Sequence, residues 1–266
     1  MAKMKKLLLA SVLAGSASFA QAAPVAVDLT SWSQLTLDFP SGQSAGNWVL
    51  GGGNTFVTQT VNADPSMYLN NLNQTSYTIE GSWEVLTTND NDYMGFVFGY
   101  QNSSNFYLFD WKQGAQNVYG GIGKEGMAIK KYEGATGNGL ADLSLGEFWE
   151  NDTNKGSMAI LDTNTGASKG WADNTSYDFK LDFNLTSGEF SILVKQGMTE
   201  LWNVTVMDST FTAGQFGFYN FSQGNVKYAG FTQEGGIIVD TPEPGMLSLL
   251  GFGLLGFYAV RRRQVA

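Results

Sequence analysis

The stretch Asp90–Gln113, DNDYMGFVFGYQNSSNFYLFDWKQ, constrains the fold more than any other part of the chain. It begins acidic, becomes aromatic and branched, turns at Gln101–Asn105 and runs apolar again. Alternation places Met94, Phe96, Phe98 and Tyr100 on one face of a strand, with Tyr93, Gly95, Val97 and Gly99 on the other. The return run sets Phe106, Leu108 and Asp110 on one side and Tyr107, Phe109 and Trp111 on the other. Two such runs about a short polar turn predict a β-hairpin inside a sheet.

The rest of the chain follows the same grammar. Trp32–Phe39 alternates weakly, and Thr55–Val61 is β-branched after the Gly51-Gly52-Gly53 break. Tyr77–Leu86 alternates and leads into the hairpin; Glu125–Glu133 is a further short strand. Tyr177–Leu185 is the cleanest run. Tyr177, Phe179, Leu181, Phe183 and Leu185 point inward, and Asp178, Lys180, Asp182 and Asn184 point out. That is a sheet with one face on the core and one in water. Ser157–Asp162 is a brief strand closed by a predicted turn at Asp162–Gly166. Phe190–Lys195 and Leu201–Met207 follow, and Gln215–Phe221 with Asn225–Phe231 predicts a final hairpin through Ser222-Gln223-Gly224. Gly134–Asn154 is the least regular segment, with Ala141–Trp149 a short helix or a loop across one end of the sheets. About a dozen strands at short spacing, with no second helical layer, predict a single antiparallel β-sandwich.

Cysteine and histidine are both absent. A thiol nucleophile, a Ser-His-Asp triad, a conventional zinc site and haem or iron–sulfur ligation by these two residue types are therefore excluded. Carboxylate chemistry and hard-cation binding remain.

The formal charge of −9 conceals an asymmetry. Lys3, Lys5, Lys6, Arg261, Arg262 and Arg263 lie at the extreme ends. Setting them aside leaves nine basic residues against 24 acidic ones, a body of about −15. Such a surface argues against nucleic acid as a partner, because that affinity rests on neutralising phosphates.

The ends read as addresses. Residues 1–22 have the form of a signal peptide: a lysine-rich start, the apolar Leu7–Ala14 and an A-x-A cleavage site at Ala20-Gln21-Ala22. Residues 23–234 form the β-sandwich, and 235–244 a linker ending in Pro242-Glu243-Pro244. Residues 245–266 carry an apolar helix, Gly245–Val260, and a basic stop at Arg261-Arg262-Arg263. Such a helix spans about 24 Å, slightly short of a hydrocarbon core of about 30 Å, with the arginines on the cytoplasmic side.

This tail resembles the PEP-CTERM sorting signal of Gram-negative bacteria. The resemblance implies an exosortase-type transpeptidase and the inner membrane as transient partners. It also implies delivery to the cell surface or extracellular polymer, where such proteins accompany exopolysaccharide. The opening stretch is similar to the C-terminal lectin-like module of thrombospondins. The likeness lies in Asp90-Asn91-Asp92, in Tyr93–Gln101 and in Trp111-Lys112-Gln113. It continues more faintly through Gly170-Trp171…Tyr177 and Gly217-Phe218…Phe221-Ser222-Gln223. It implies a concanavalin-like jelly roll of two curved sheets, with Ca²⁺ held by acidic loop residues. The Asp-rich repeats that precede the module in thrombospondins, and the family's cysteines, are missing.

Asp90 and Asp92, one residue apart in a loop, can both reach one Ca²⁺ at about 2.3–2.6 Å, with Asn89, Asn91 and backbone carbonyls completing the shell. The plainer alternative is a polar turn before a strand. Asp152 with Asp162–Gly166 is a second, incomplete calcium candidate. The competing class is a carbohydrate-active enzyme, a glycoside hydrolase or lyase, on the same fold. Its nearest carboxylate pair is Glu147 and Glu150, a spacing that also describes an exposed acidic patch. Trp111, Trp149 and Trp171 are candidates for stacking on sugar, against a core role. The preferred reading is a calcium-supported, lectin-like module without catalytic residues, structural or adhesive in extracellular polysaccharide.

Overall fold

The alternating run around Phe179 forms the strand Ser176–Asn184, with Tyr177, Phe179, Leu181 and Phe183 buried and the residues between them facing outward. It comes from a computed structural model that describes residues 25–184 and 187–234. The signal peptide, Leu185, the Pro242-Glu243-Pro244 motif, the apolar tail helix and Arg261-Arg262-Arg263 lie outside the described residues.

Two antiparallel sheets pack face to face. In the first, Thr199–Met207, Glu189–Gln196, Ser176–Asn184, Ser76–Val85, Val226–Glu234, Phe56–Gln59 and Trp48–Leu50 lie side by side, and Val25–Ala26 pairs with Val226–Glu234. The second holds the hairpin: Met158–Thr165, Gly126–Glu133, Asn105–Lys112, Tyr93–Asn102, Gln215–Phe221, Ser66–Leu69 and Ser33–Thr36. Neighbours distant in sequence, joined by repeated crossings between sheets, make this the expected jelly roll. Aromatic rings fill the space between. Trp83 stacks on Phe179 at 4.8 Å, and Phe96 stacks on both Phe109 and Phe179 at 4.9 Å. Such pairs add about 0.5–1.5 kcal/mol each beyond area burial, which helps a chain without disulfides.

The hairpin sheet is buried on both faces. Met94, Phe96, Phe98, Tyr107, Phe109 and Trp111 point into the sandwich. Tyr93, Val97, Phe106 and Leu108 point the other way, against Leu143, Leu145, Phe148 and Trp149. Those four belong to a cap that contains helix α1 (Gly139–Asp142) and helix α2 (Leu145–Trp149). The short-helix alternative for Ala141–Trp149 therefore holds, as two separate helices packed on the outer face of the hairpin sheet. Helices of four and five residues are too short to leave a periodic signature in sequence.

Three expectations are corrected. Tyr100 lies with Tyr93 and Val97, not with Phe98, because the strand bulges after Phe98 and Gly99 takes a positive φ of 55°. The last two strands do not pair with each other. Gln215–Phe221 sits in the hairpin sheet and Val226–Glu234 in the other, and the chain arches between them through Ser222 and Asn225, at φ 57° and 55°. The segment Asp162–Thr165 is strand rather than turn, with Asp162 opposite Ile129.

Candidate functional site

Residues 60–65, 86–92, 166–175 and 222–225 each carry the chain between sheets, and they meet at one end of the sandwich. The Asn62 amide donates to Asp90 Oδ2 at 2.5 Å. The Ser222 N–H donates to the Ala63 carbonyl at 2.8 Å, Leu86 N–H to Asn225 O at 2.8 Å and Asn174 N–H to Val85 O at 2.8 Å. The indole of Trp171 donates to the Asp92 carbonyl at 3.1 Å, and the Asp92 N–H donates to Gln223 Oε1 at 2.9 Å. The acidic lead-in is thus held from three neighbouring crossings.

Here Asp90 is half-buried and Asp92 buried. Burial, then the negative charge of Asp92, raises the Asp90 pKa, and the Asn62 hydrogen bond opposes the rise. On the other side the Lys112 ammonium, fully buried, donates to Asp92 Oδ1, to Asn91 O at 3.3 Å and to Gln116 Oε1 at 2.9 Å. Burial lowers the Lys112 pKa, and Asp92 opposes that shift. The oxygen-only donors suit a hard cation, and the mutual repulsion that burdens Asp90 is what a divalent ion relieves. Lys112 already holds one oxygen of Asp92, and the Asn62 amide holds Oδ2 of Asp90. No cluster of three or more acidic side chains occurs among the described residues, so amide, carbonyl and water oxygens would supply the remaining ligands.

The other sequence candidates fare differently. Asp152 pairs with Lys124 at 2.5 Å, and Asp162 sits in a strand, so the second calcium candidate is not a loop. Glu147 and Glu150 are buried rather than an exposed patch. Glu147 accepts from Ser144 N–H at 2.6 Å, Ser144 Oγ at 2.8 Å and Ser157 N–H at 2.6 Å, closing the capping box of α2. Glu150 accepts from the N–H groups of Ile122, Asp152 and Thr153 at 3.0–3.1 Å. Both carboxylates pin backbone. Trp111, Trp149 and Trp171 are buried, and every aromatic side chain among the described residues is buried or half-buried.

Sequence reasoning missed a charged layer between the hairpin sheet and the cap. Lys130 and Asp110 are both fully buried and pair at 2.6 Å. Three consecutive carbonyls of the cap accept from the sheet: Glu147 from Tyr132 Oη at 3.2 Å, Phe148 from Lys130 Nζ at 3.0 Å and Trp149 from Tyr93 Oη at 2.5 Å. The signal was present as charges inside two otherwise apolar strands, Asp110 in NFYLFDWK and Lys130 in GMAIKKYE.

The sequence matches the thrombospondin C-terminal region over residues 43–235. The chain belongs to that family. Residues 240–263 match the PEP-CTERM protein-sorting motif. Cartilage oligomeric matrix protein of Bos taurus is 30% identical over 210 residues, 76% of this chain and 27% of the relative. Thrombospondin-2 of Gallus gallus is 30% identical over 215 residues, 78% of this chain and 18% of the relative. The chain thus spans only about a quarter of those proteins or less. Among solved structures, the carbohydrate binding module CBM66 from Bacillus subtilis superposes with a TM-score of 0.49 at 15% identity, over 77% of this chain and 96% of that one. The thrombospondin C-terminal domain and the sorting motif together mark an exported protein that reaches the cell surface or extracellular space. Among the described residues no helix is long and apolar enough to cross a membrane.

Proposed function

We propose that this exported thrombospondin C-terminal domain is a calcium-supported, non-enzymatic module with a structural or adhesive role in extracellular polysaccharide. The proposal includes the signal peptide at 1–22, and a tail processed near Pro242-Glu243-Pro244 by an exosortase-type transpeptidase. The observation that carries it is the Asp90–Asp92 pair where several sheet crossings meet. A cation held there ties loops from both sheets and stabilises the fold by its binding energy. The backbone duties of Glu147 and Glu150 favour this reading over a glycosidase, which needs two carboxyls facing substrate. Calcium is expected to raise the thermal midpoint of the purified protein, and Asp90→Asn to remove most of that shift. An unchanged midpoint in calcium ends the metal proposal. Polysaccharide is tested on a glycan array with and without EDTA. Retention without sugar release supports a binding module, whereas release of reducing ends overturns the non-enzymatic reading.

A further inference from the structure

The most unusual chemistry lies in the charged layer under the cap. Asp110 and Lys130 sit on neighbouring strands as a diagonal pair two residues out of register: Asp110 faces Ala128 and Lys130 faces Leu108. Both side chains are fully buried, and Lys130 Nζ lies 2.6 Å from Asp110 Oδ2. The Phe148 carbonyl fixes the amine from the far side at 3.0 Å. The Tyr93 ring closes one wall, its centroid 5.1 Å from the nitrogen. Asp110 Oδ1 and the Tyr219 hydroxyl, both buried, have no hydrogen-bond partner.

We propose that Lys130 and Asp110 condense to an intramolecular isopeptide bond that staples Gly126–Glu133 to Asn105–Lys112. An ion pair sealed from water is a poor resting state, because desolvation penalises both charges. Burial raises the Asp110 carboxyl to about 6, against the pull of Lys130 and Lys112. Burial lowers Lys130, while Asp110 and, more weakly, Glu150 oppose the shift. Proton transfer along the short hydrogen bond yields a free amine beside a neutral carboxylic acid. The Nζ lone pair attacks Cγ, a C–N bond forms, the Cγ–OH bond breaks, and one water leaves carrying the amine proton. No oxidant or co-reactant is consumed. The dry site holds the amine at hydrogen-bond distance from the carboxyl, so the two groups meet without the cost of bringing them together. Tyr219, with its own pKa pushed well up by burial and then by Asp110, keeps its proton and adds no negative charge beside the pair. The Lys112–Asp92 pair is less suited, since Asp92 is partly accessible and Lys112 is shared with Gln116.

The test is tandem mass spectrometry of a denatured protease digest of the full chain purified from cells. The expected result is a branched peptide joining Asp110 to Lys130, lighter than its two linear parts by one water and present in most molecules. Asp110→Asn is expected to give the same branched peptide with loss of ammonia instead. Lys130→Arg is expected to give none. Two linear peptides with Asp110 and Lys130 unmodified in the wild-type protein overturn the proposal, and so does a water loss confined to Asp110 as a cyclic imide.

Discussion

Carboxylates in this domain are set where backbone N–H groups would otherwise be stranded. Glu150 alone serves three of them, from Ile122, Asp152 and Thr153. Glu150→Ala leaves these donors without partners, and a loss of about 2–4 kcal/mol is expected in chemical denaturation, since unsatisfied buried groups cost about 1–3 kcal/mol each and water recovers part. Asp208 illustrates the opposite electrostatic balance. Burial would raise its pKa, but hydrogen bonds from Tyr107, Thr210 and Lys131 hold it at about 2. A depressed carboxyl contributes stability that is present above the unfolded value near 3.8 and is lost as pH falls through about 2. Asp208→Asn is therefore expected to flatten the stability profile between those pH values, by about 1–2 kcal/mol after solvent screening. A pH titration of urea midpoints checks it. A carboxylate destined for backbone N–H groups and one destined for a substrate look the same in sequence, because the partners lie in other loops.

At the scale of elements, the hairpin was legible and its bulge was not. The apolar alternation of Tyr93–Phe98 and Phe106–Trp111 survives intact, because each face meets a different apolar cluster. Beyond Phe98 the register shifts, and Gly99 supplies the left-handed conformation the shift requires. Nothing in the residue types marks that step, since glycine is frequent throughout. Gly99→Ala places a Cβ 3.1 Å from Tyr107 in an unfavourable φ region. It is expected to cost about 1–2 kcal/mol and to lower the melting temperature without altering secondary structure by circular dichroism. Helix α2 was legible only as one of two alternatives for Ala141–Trp149. Its five residues are held by its capping box and by Tyr132, Lys130 and Tyr93 from the sheet, so its stability is tertiary. Tyr93→Phe, which removes the bond to the Trp149 carbonyl, is expected to lose about 1 kcal/mol in equilibrium unfolding while the cap stays packed.

For the whole molecule, the sheet crossings decide how far the proposed cation would act. Calcium at Asp90 and Asp92 would bridge connections belonging to both sheets, so its effect belongs to global unfolding rather than to one loop. Saturating calcium at about 100 times the dissociation constant is expected to add about 2.7 kcal/mol, read as a shift of the whole unfolding curve. Sequence alone determined the class of this protein. Alternating apolar residues at strand spacing leave an antiparallel sandwich as the way to bury one face of each strand. The missing cysteine and histidine remove whole chemistries, and the tail motif states a destination. Tertiary structure decided everything that depends on partners distant along the chain. It seated Gln215–Phe221 and Val226–Glu234 in different sheets, turned Glu147 and Glu150 into backbone staples, set Lys112 against Asp92, and sealed Lys130 onto Asp110. The physical reason is common to all four. Alternation records which way a side chain points, but the cost of burying a charge or an N–H group is settled by whatever the fold brings alongside.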